Sequence, residues 1–414
     1  MAVVLSYVLL ALIASLAVFA IYLLVRILRV YFKARRLEKM RNYEIILYTA
    51  LPQLGPERIL DTLLTDPDPK ILEEVLLRMG DEGAEGWKDK VIALYGLGGF
   101  TDKRMKQLRS PLKSHRSGAA RRLGRISEPR AVPQLQQMLG DKKEEVRETA
   151  LYALGRIGTE ESLQAMLQAL DLSDRWGQEK VAEAMDGVGD ESRRLLAELL
   201  EDKNPARRAF AADLMGRIGG ADEAACLEWA IEDEEMDVRA RAADSLGKLR
   251  HHPSRAALLG ALDDKDWQVR SQVVKALGRI GDERDAPRLV ASLRDREWWV
   301  RNNAASALRE MGEGGEKPLV EALWDEDRFA RETAAQALEE SSLVERIVEG
   351  MREGEEIPGG ERAIHRMAEI GCVGTIVQVL ADLPEDSVKA RLVSLLEDIK
   401  HPELDRYITR SSRG

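Results

Sequence analysis

One pattern recurs through this chain and limits what it can fold into. Aspartates stand at Asp141, Asp171, Asp202, Asp233, Asp264, Asp295 and Asp325, at intervals of 30 or 31 residues. Six residues after six of them comes an arginine: Arg147, Arg208, Arg239, Arg270, Arg301 and Arg331. Several of these arginines follow a valine, as in Val146-Arg147, Val238-Arg239, Val269-Arg270 and Val300-Arg301. A Leu-Gly step comes next, at Leu154-Gly155, Leu246-Gly247 and Leu277-Gly278, and Gly-Arg-Ile-Gly recurs at 155–158, 216–219 and 278–281. A second apolar stretch completes each unit, for example Leu258 with Leu262 or Leu289 with Leu293. Apolar residues at i, i+4 and i+7 or i+8 give a helix one buried stripe. Each unit therefore reads as two short amphipathic helices joined by a glycine-containing turn. One pair cannot bury both stripes, whereas pairs stacked side by side can, and the result is an all-α solenoid.

The pattern Val-Arg-x-x-Ala-x-x-x-Leu-Gly-x-Ile-Gly, with Asp six residues before the Arg, resembles the HEAT-like repeats also found in bacterial phycobilin lyases. The resemblance is firm over 113–340 and looser over 42–112 and 341–414, the last including a C-terminal cap and tail. It implies a HEAT-like α-solenoid of about ten helix pairs. One unit departs from the pattern, with Gln178 in place of Arg and Asp186 in place of Gly. The repeated Asp is expected to cap the following helix, and the Arg to reach that carboxylate or one in a neighbouring repeat. The periodic glycines are expected at turns and helix ends.

Ahead of the repeats, residues 2–25 carry no charge, which at 1.5 Å per residue is about 36 Å of helix, enough to span a bilayer. The basic residues Arg26, Arg29, Lys33, Arg35, Arg36, Lys39 and Arg41 follow on one side only, against a single Glu38. The expectation is one transmembrane helix and a basic juxtamembrane collar over 1–41. The positive-inside rule places the N-terminus outside and the repeats in the cytoplasm, on the plasma (inner) membrane. A cleaved signal peptide is the competing reading, with Ala14, Ala17 and Ala20 as its small residues, but its positive charge normally precedes the apolar run. Two cysteines, Cys226 and Cys372, make no disulfide framework.

Motifs that carry chemistry are missing from the sequence. No H-E-x-x-H, Walker loop or G-x-S-x-G elbow occurs, and none of the five histidines precedes a glutamate, so the His-Glu dyads of HEAT-like hydroxylases are absent. The adjacent His251 and His252 read as a solvated turn and Cys226 as a buried small residue. No catalytic residue, metal site or cofactor is expected.

Charge and aromatic placement point to binding. The net charge is −10, which opposes a general nucleic-acid binder. Residues 103–127 nonetheless hold Lys103, Arg104, Lys106, Arg109, Lys113, Arg116, Arg121, Arg122 and Arg125 with no acid, while 310–357 hold 15 acids and five bases. The basic stretch reads as a solvated helix pair, a lipid-facing surface or a site for an acidic partner or anion. Trp267 and Trp298, three residues before the repeat Arg, read as packed positions. Trp176, Trp299 and Phe329 share a column that is polar in other repeats, and Trp229 occupies a column that holds Gln137, Gly260, Ala291 and Glu321 elsewhere. These four are the candidate partner-binding residues, with Trp299 and Phe329 expected to be neighbours. The resulting reading is a non-catalytic scaffold or accessory subunit, held to the bilayer by residues 2–25 and the collar, that binds a protein partner. A membrane enzyme such as a polysaccharide glycosyltransferase is the kind of client a tether serves. The resemblance implies the alternative, a lyase or chaperone-like enzyme acting on a tetrapyrrole or a protein.

Overall fold

The computed structural model describes residues 2–63, 68–82, 86–170, 174–186 and 190–407, with side chains except at 2–15, 17, 175, 190, 191 and 222. The expected C-terminal tail therefore lies largely outside the described residues. Their regular secondary structure is all helical, with no strand among them. The chain divides into two compact units, Met1–Ser192 and Arg193–Gly414.

The first unit contains α1 (Ala2–Ala50), α2 (Pro56–Leu63), α3 (Pro69–Glu82), α4 (Lys88–Leu97), α5 (Phe100–Leu108), α6 (Lys113–Arg125), α7 (Val132–Met138), α8 (Glu144–Ile157), α9 (Glu160–Ala169) and α10 (Arg175–Asp186). After α11 (Asp190–Leu199), which crosses the division, the second unit continues with α12 (Pro205–Ile218), α13 (Ala221–Ala230), α14 (Met236–Leu249), α15 (Arg255–Gly260), α16 (Trp267–Ile280), α17 (Ala286–Ser292), α18 (Trp298–Glu310), α19 (Glu313–Ala322), α20 (Arg328–Glu339), α21 (Leu343–Glu353), α22 (Gly360–Ile370), α23 (Gly374–Asp382) and α24 (Ser387–Leu395). Alternate helices stack into a row in each unit: α6, α8 and α10 in the first, and α12, α14, α16, α18, α20 and α22 in the second. The helices between them form a second row behind.

α1 runs without a break across the sequence boundary at 41. Its last turns carry Met40, Tyr43 and Leu47, and the turn after it Leu51, into the core of the first unit, against Ile59, Leu76 and Tyr95. Among the described residues no helix is long and apolar enough to cross a membrane. Most of the uncharged run 2–25 has its side chains outside the described residues, so the expected anchor falls largely there.

The buried residues are mostly leucine, alanine, valine and isoleucine; Tyr43, Tyr95 and Phe100 are the buried aromatics among the described residues. Small residues let the stacked helices approach closely. A Cβ on Gly124 would stand 2.6 Å from the Ala153 Cα, one on Gly247 2.6 Å from the Ala276 Cα, and one on Gly278 2.5 Å from the Ala307 Cβ. The glycine of the Leu-Gly step, which is the first glycine of Gly-Arg-Ile-Gly at 155–158 and 278–281, is thus a helix-crossing residue, where the expectation was a turn or a helix end. Only the second glycine takes that part, at Gly158 and Gly281, both left-handed C-caps.

The Asp/Arg pattern forms a ladder between repeats. Arg239 donates from NH1 to its own repeat's Asp233 carbonyl at 2.8 Å. Its Nε and NH2 reach the two carboxylate oxygens of Asp264, 25 residues on, at 2.7 and 3.1 Å. Arg208 holds Asp233 and Arg270 holds Asp295 in the same way. The Asp carboxylate also accepts a backbone N–H two residues on, as Asp264 does from Asp266 at 2.8 Å. That N–H belongs to the N-cap residue itself, so the Asp closes the turn ahead of the helix and does not cap it, as was expected. Arg116 joins the ladder too, with Asp141 at 2.9 and 3.0 Å. For Arg147 the corresponding carboxylate would fall at 171–173, outside the described residues.

Each rung is a bidentate pair with its donors also satisfied by backbone carbonyls, the condition under which a buried arginine is tolerated. Burial pushes the Asp264 carboxyl up, but hydrogen bonds from Arg239 and the Asp266 N–H, with the Arg239 charge, outweigh it and hold the group below its ordinary 3.8. A carboxyl depressed by folding contributes stability that is present above 3.8 and is lost as pH falls through its folded-state value. Arg239 keeps a second carboxylate, Asp266, at 2.7 Å, so Asp264→Asn is expected to cost about 2 kcal/mol at neutral pH. In urea unfolding, the gap between variant and wild type should close below pH 3.8; a gap that persists through the acid transition would contradict the ladder.

Candidate partner-binding edge

The ladder lies along the edge where each second-row helix ends and the next first-row helix begins. The same edge carries the aromatic residues. Trp298 and Trp299 open α18, Phe329 lies in the first turn of α20, Trp324 is in the turn before it, and Trp229 is near the end of α13. All five are exposed, Trp229 at 81%. In the first unit Trp176 stands in the first turn of α10 and is also exposed. None of the seven tryptophans is buried; Trp87 and Trp267 are half-buried.

Trp298, expected to be packed, is exposed and stands edge-on to Trp299, with ring centroids 4.7 Å apart. Phe329, expected near Trp299, makes its contact two residues further along α18. Phe329 meets the Arg301 guanidinium, 4.5 Å from the ring centroid, and no ring contact joins it to Trp299 among the described residues. The reason is a missing residue. Asp295 and Asp325 are 30 apart, where successive aspartates of the intact ladder in the second unit are 31 apart. Arg294 takes the Asp325 carboxylate at 2.8 Å. Arg301 keeps its backbone contact to the Asp295 carbonyl at 2.8 Å, but its buried Nε has no partner. A guanidinium over an aromatic face is favourable. The broken rung thus leaves Phe329 lying against an arginine that no carboxylate claims.

Trp176 lines a cavity of about 630 Å³ in the first unit with Arg121, Arg125, Tyr152 and Arg156. The Lys180 ammonium stands 6.0 Å from its ring centroid. Trp324 was not among the sequence candidates. Its column holds Gly140, Leu170, Glu201, Glu232, Asp263 and Arg294 in other repeats, so a polar-column signal was present in four of the six. The Arg362 guanidinium lies 5.7 Å from the Trp324 centroid.

The nine-residue basic patch is less uniform than its sequence. Arg104 is buried on Glu73, with Nε to Oε1 at 2.7 Å. Arg116 is a ladder rung, Lys113 pairs with Glu145 at 2.9 Å and Arg125 with Asp81 at 2.5 Å. Arg122 stands 3.8 Å from Glu73. Lys103, Lys106, Arg109 and Arg121 form no ion pair among the described residues.

No group of three His, Cys, Asp or Glu able to hold a metal occurs among the described residues. His251 contacts the Ser254 hydroxyl at 2.6 Å, which in turn donates to Glu228. Burial, with Glu339 nearby, pushes the Cys372 thiol up to about 12, and burial likewise raises Cys226, so neither is a ready thiolate.

Residues 101–186 and 223–309 match the family of HEAT repeats. These two segments are HEAT repeats. No curated protein matches the sequence. Among solved structures, an engineered protein is 19% identical, with 84% of this chain and 100% of that chain covered and a TM-score of 0.32. The CpcE–CpcF complex of phycocyanin lyase from a Nostoc species is 20% identical over 53% of this chain and 92% of that one, at 0.26. A Pds5–Scc1 complex is 12% identical over 90% and 73%, at 0.41.

The broken rung makes a direct comparison possible. Arg270→Leu strands the Asp295 carboxylate and is expected to cost about 3 kcal/mol. Arg301→Leu strands no carboxylate and should cost at least about 1 kcal/mol less. Equal losses in urea unfolding would contradict the assignment.

Proposed function

We propose that this chain is a non-catalytic scaffold that binds a protein partner along the aromatic edge of its HEAT repeats. The observation that carries the reading is that no tryptophan is buried, in a protein whose core is built of leucine and alanine. Large apolar rings held in water give nothing to the fold, whereas buried against a partner they are the usual energetic anchors of an interface. Phe329 over Arg301, beside Trp298 and Trp299, offers a mixed aromatic and cationic surface of the kind enriched at such anchors.

The finer reading is that residues 2–25 span the plasma membrane with the N-terminus outside and the repeats in the cytoplasm. The uncharged run and the one-sided collar of Arg26 to Arg41 support it. A tethered scaffold meets membrane partners at raised effective concentration, so an integral membrane enzyme, such as a polysaccharide glycosyltransferase, is the client class.

The test is affinity purification of the full chain from detergent-solubilised membranes. A stoichiometric protein partner should be recovered, and Trp299→Ala with Phe329→Ala should weaken its retention by about 30-fold or more. Recovery of no partner, or unchanged retention by the double variant, would contradict the proposal.

A further inference from the structure

The helices α3 and α6 converge at their C-terminal ends, where a Cβ on Gly80 would stand 2.4 Å from the Arg125 carbonyl oxygen. Nearer their N-termini, α5 sends Arg104 onto Glu73 of α3, and the Tyr95 hydroxyl donates to the same carboxylate at 2.8 Å. Between α3, α5 and α6 remains a cavity of about 560 Å³, within the range of small-ligand sites. Six cationic side chains and two carboxylates line it. Both carboxylates are engaged, Glu73 by Arg104 and Tyr95, and Glu74 by Arg36. Arg104 and Arg125 are spent on Glu73 and Asp81. Lys70, Lys103 and Arg121 have no ion pair among the described residues, and Arg122 lies 3.8 Å from an oxygen already bonded. Cations gathered around one cavity repel each other, and an anion in their midst relieves that cost.

The cavity also lies close to the collar. α1 and α3 run parallel, paired at Arg36 with Glu74, Glu44 with Arg78 and Tyr48 with Glu82. Arg36 is about 16 Å along the helix from Val25.

We propose that this wedge is a binding site for a phosphate group, carried by an anionic lipid headgroup or by a soluble phosphorylated compound. Arg121 and Arg122 supply planar donors for phosphate oxygens, and Lys70 and Lys103 supply point charges from the facing walls. The lipid source rests on the tether reading above; the phosphate chemistry does not.

The experiment is calorimetric titration of the full chain, in neutral detergent, with pyrophosphate and with monomeric dihexanoylphosphatidylglycerol. Wild type should bind at least one probe. Lys103→Gln with Arg121→Gln, both exposed and unpaired, should weaken that binding by about tenfold or more, while Lys265→Gln in the other unit leaves it unchanged. Binding of the lipid, displaced by pyrophosphate, identifies the headgroup as the source; binding of pyrophosphate alone identifies a soluble compound. Either supports the site. Binding of neither probe, equal binding by the double variant, or tighter binding of poly-glutamate than of both probes would overturn it. The partner test uses residues of the other unit, so the two proposals fail separately.

Discussion

The arginine that spans from one repeat to the next does two incompatible-looking things at once: it is buried, and it is charged. A buried guanidinium is tolerated only when its donors are satisfied and its charge is met. Arg208, Arg239 and Arg270 meet both conditions by taking a carbonyl from their own repeat and a carboxylate from the next. The requirement sets the spacing of the repeats in the second unit. A single residue fewer between Asp295 and Asp325 moves the carboxylate to Arg294 and leaves Arg301 facing Phe329.

Close stacking has a second consequence. Where Gly124, Gly247 and Gly278 let helices touch, the space between layers suits alanine and leucine and excludes an indole. Trp87 only flanks the core of the first unit, and the exposed tryptophans along the ladder edge answer to something other than folding. That is the link from packing to the proposed binding role.

The helix pairs were legible because a 31-residue period with two apolar stripes has few other solutions. What eluded the sequence was tertiary. Aspartate favours both an N-cap and the turn before one, and the two positions differ by two residues. Arg116 was counted as free charge because Ser110 stands where the pattern has Asp, although both are in register with Asp141 and Arg147. The +9 stretch was read without its partners, since Glu73, Asp81, Asp141 and Glu145 all lie outside residues 103–127. Glycine has two uses, conformational freedom and the absence of a Cβ, and only the packed structure tells them apart. Column polarity marks Trp176, Trp299 and Phe329 in the sequence, and Trp324 through four of six other repeats, whereas the exposure of Trp298 shows only in the folded chain.

The central claim is that the aromatic edge is a protein interface and not a folding feature. A photo-crosslinking residue placed at Trp299 in the full chain, in living cells, addresses it most directly. The account predicts one dominant crosslinked protein that is absent when the same residue is placed at Lys265. Crosslinks that are absent at 299, or equally strong at both positions, would contradict it.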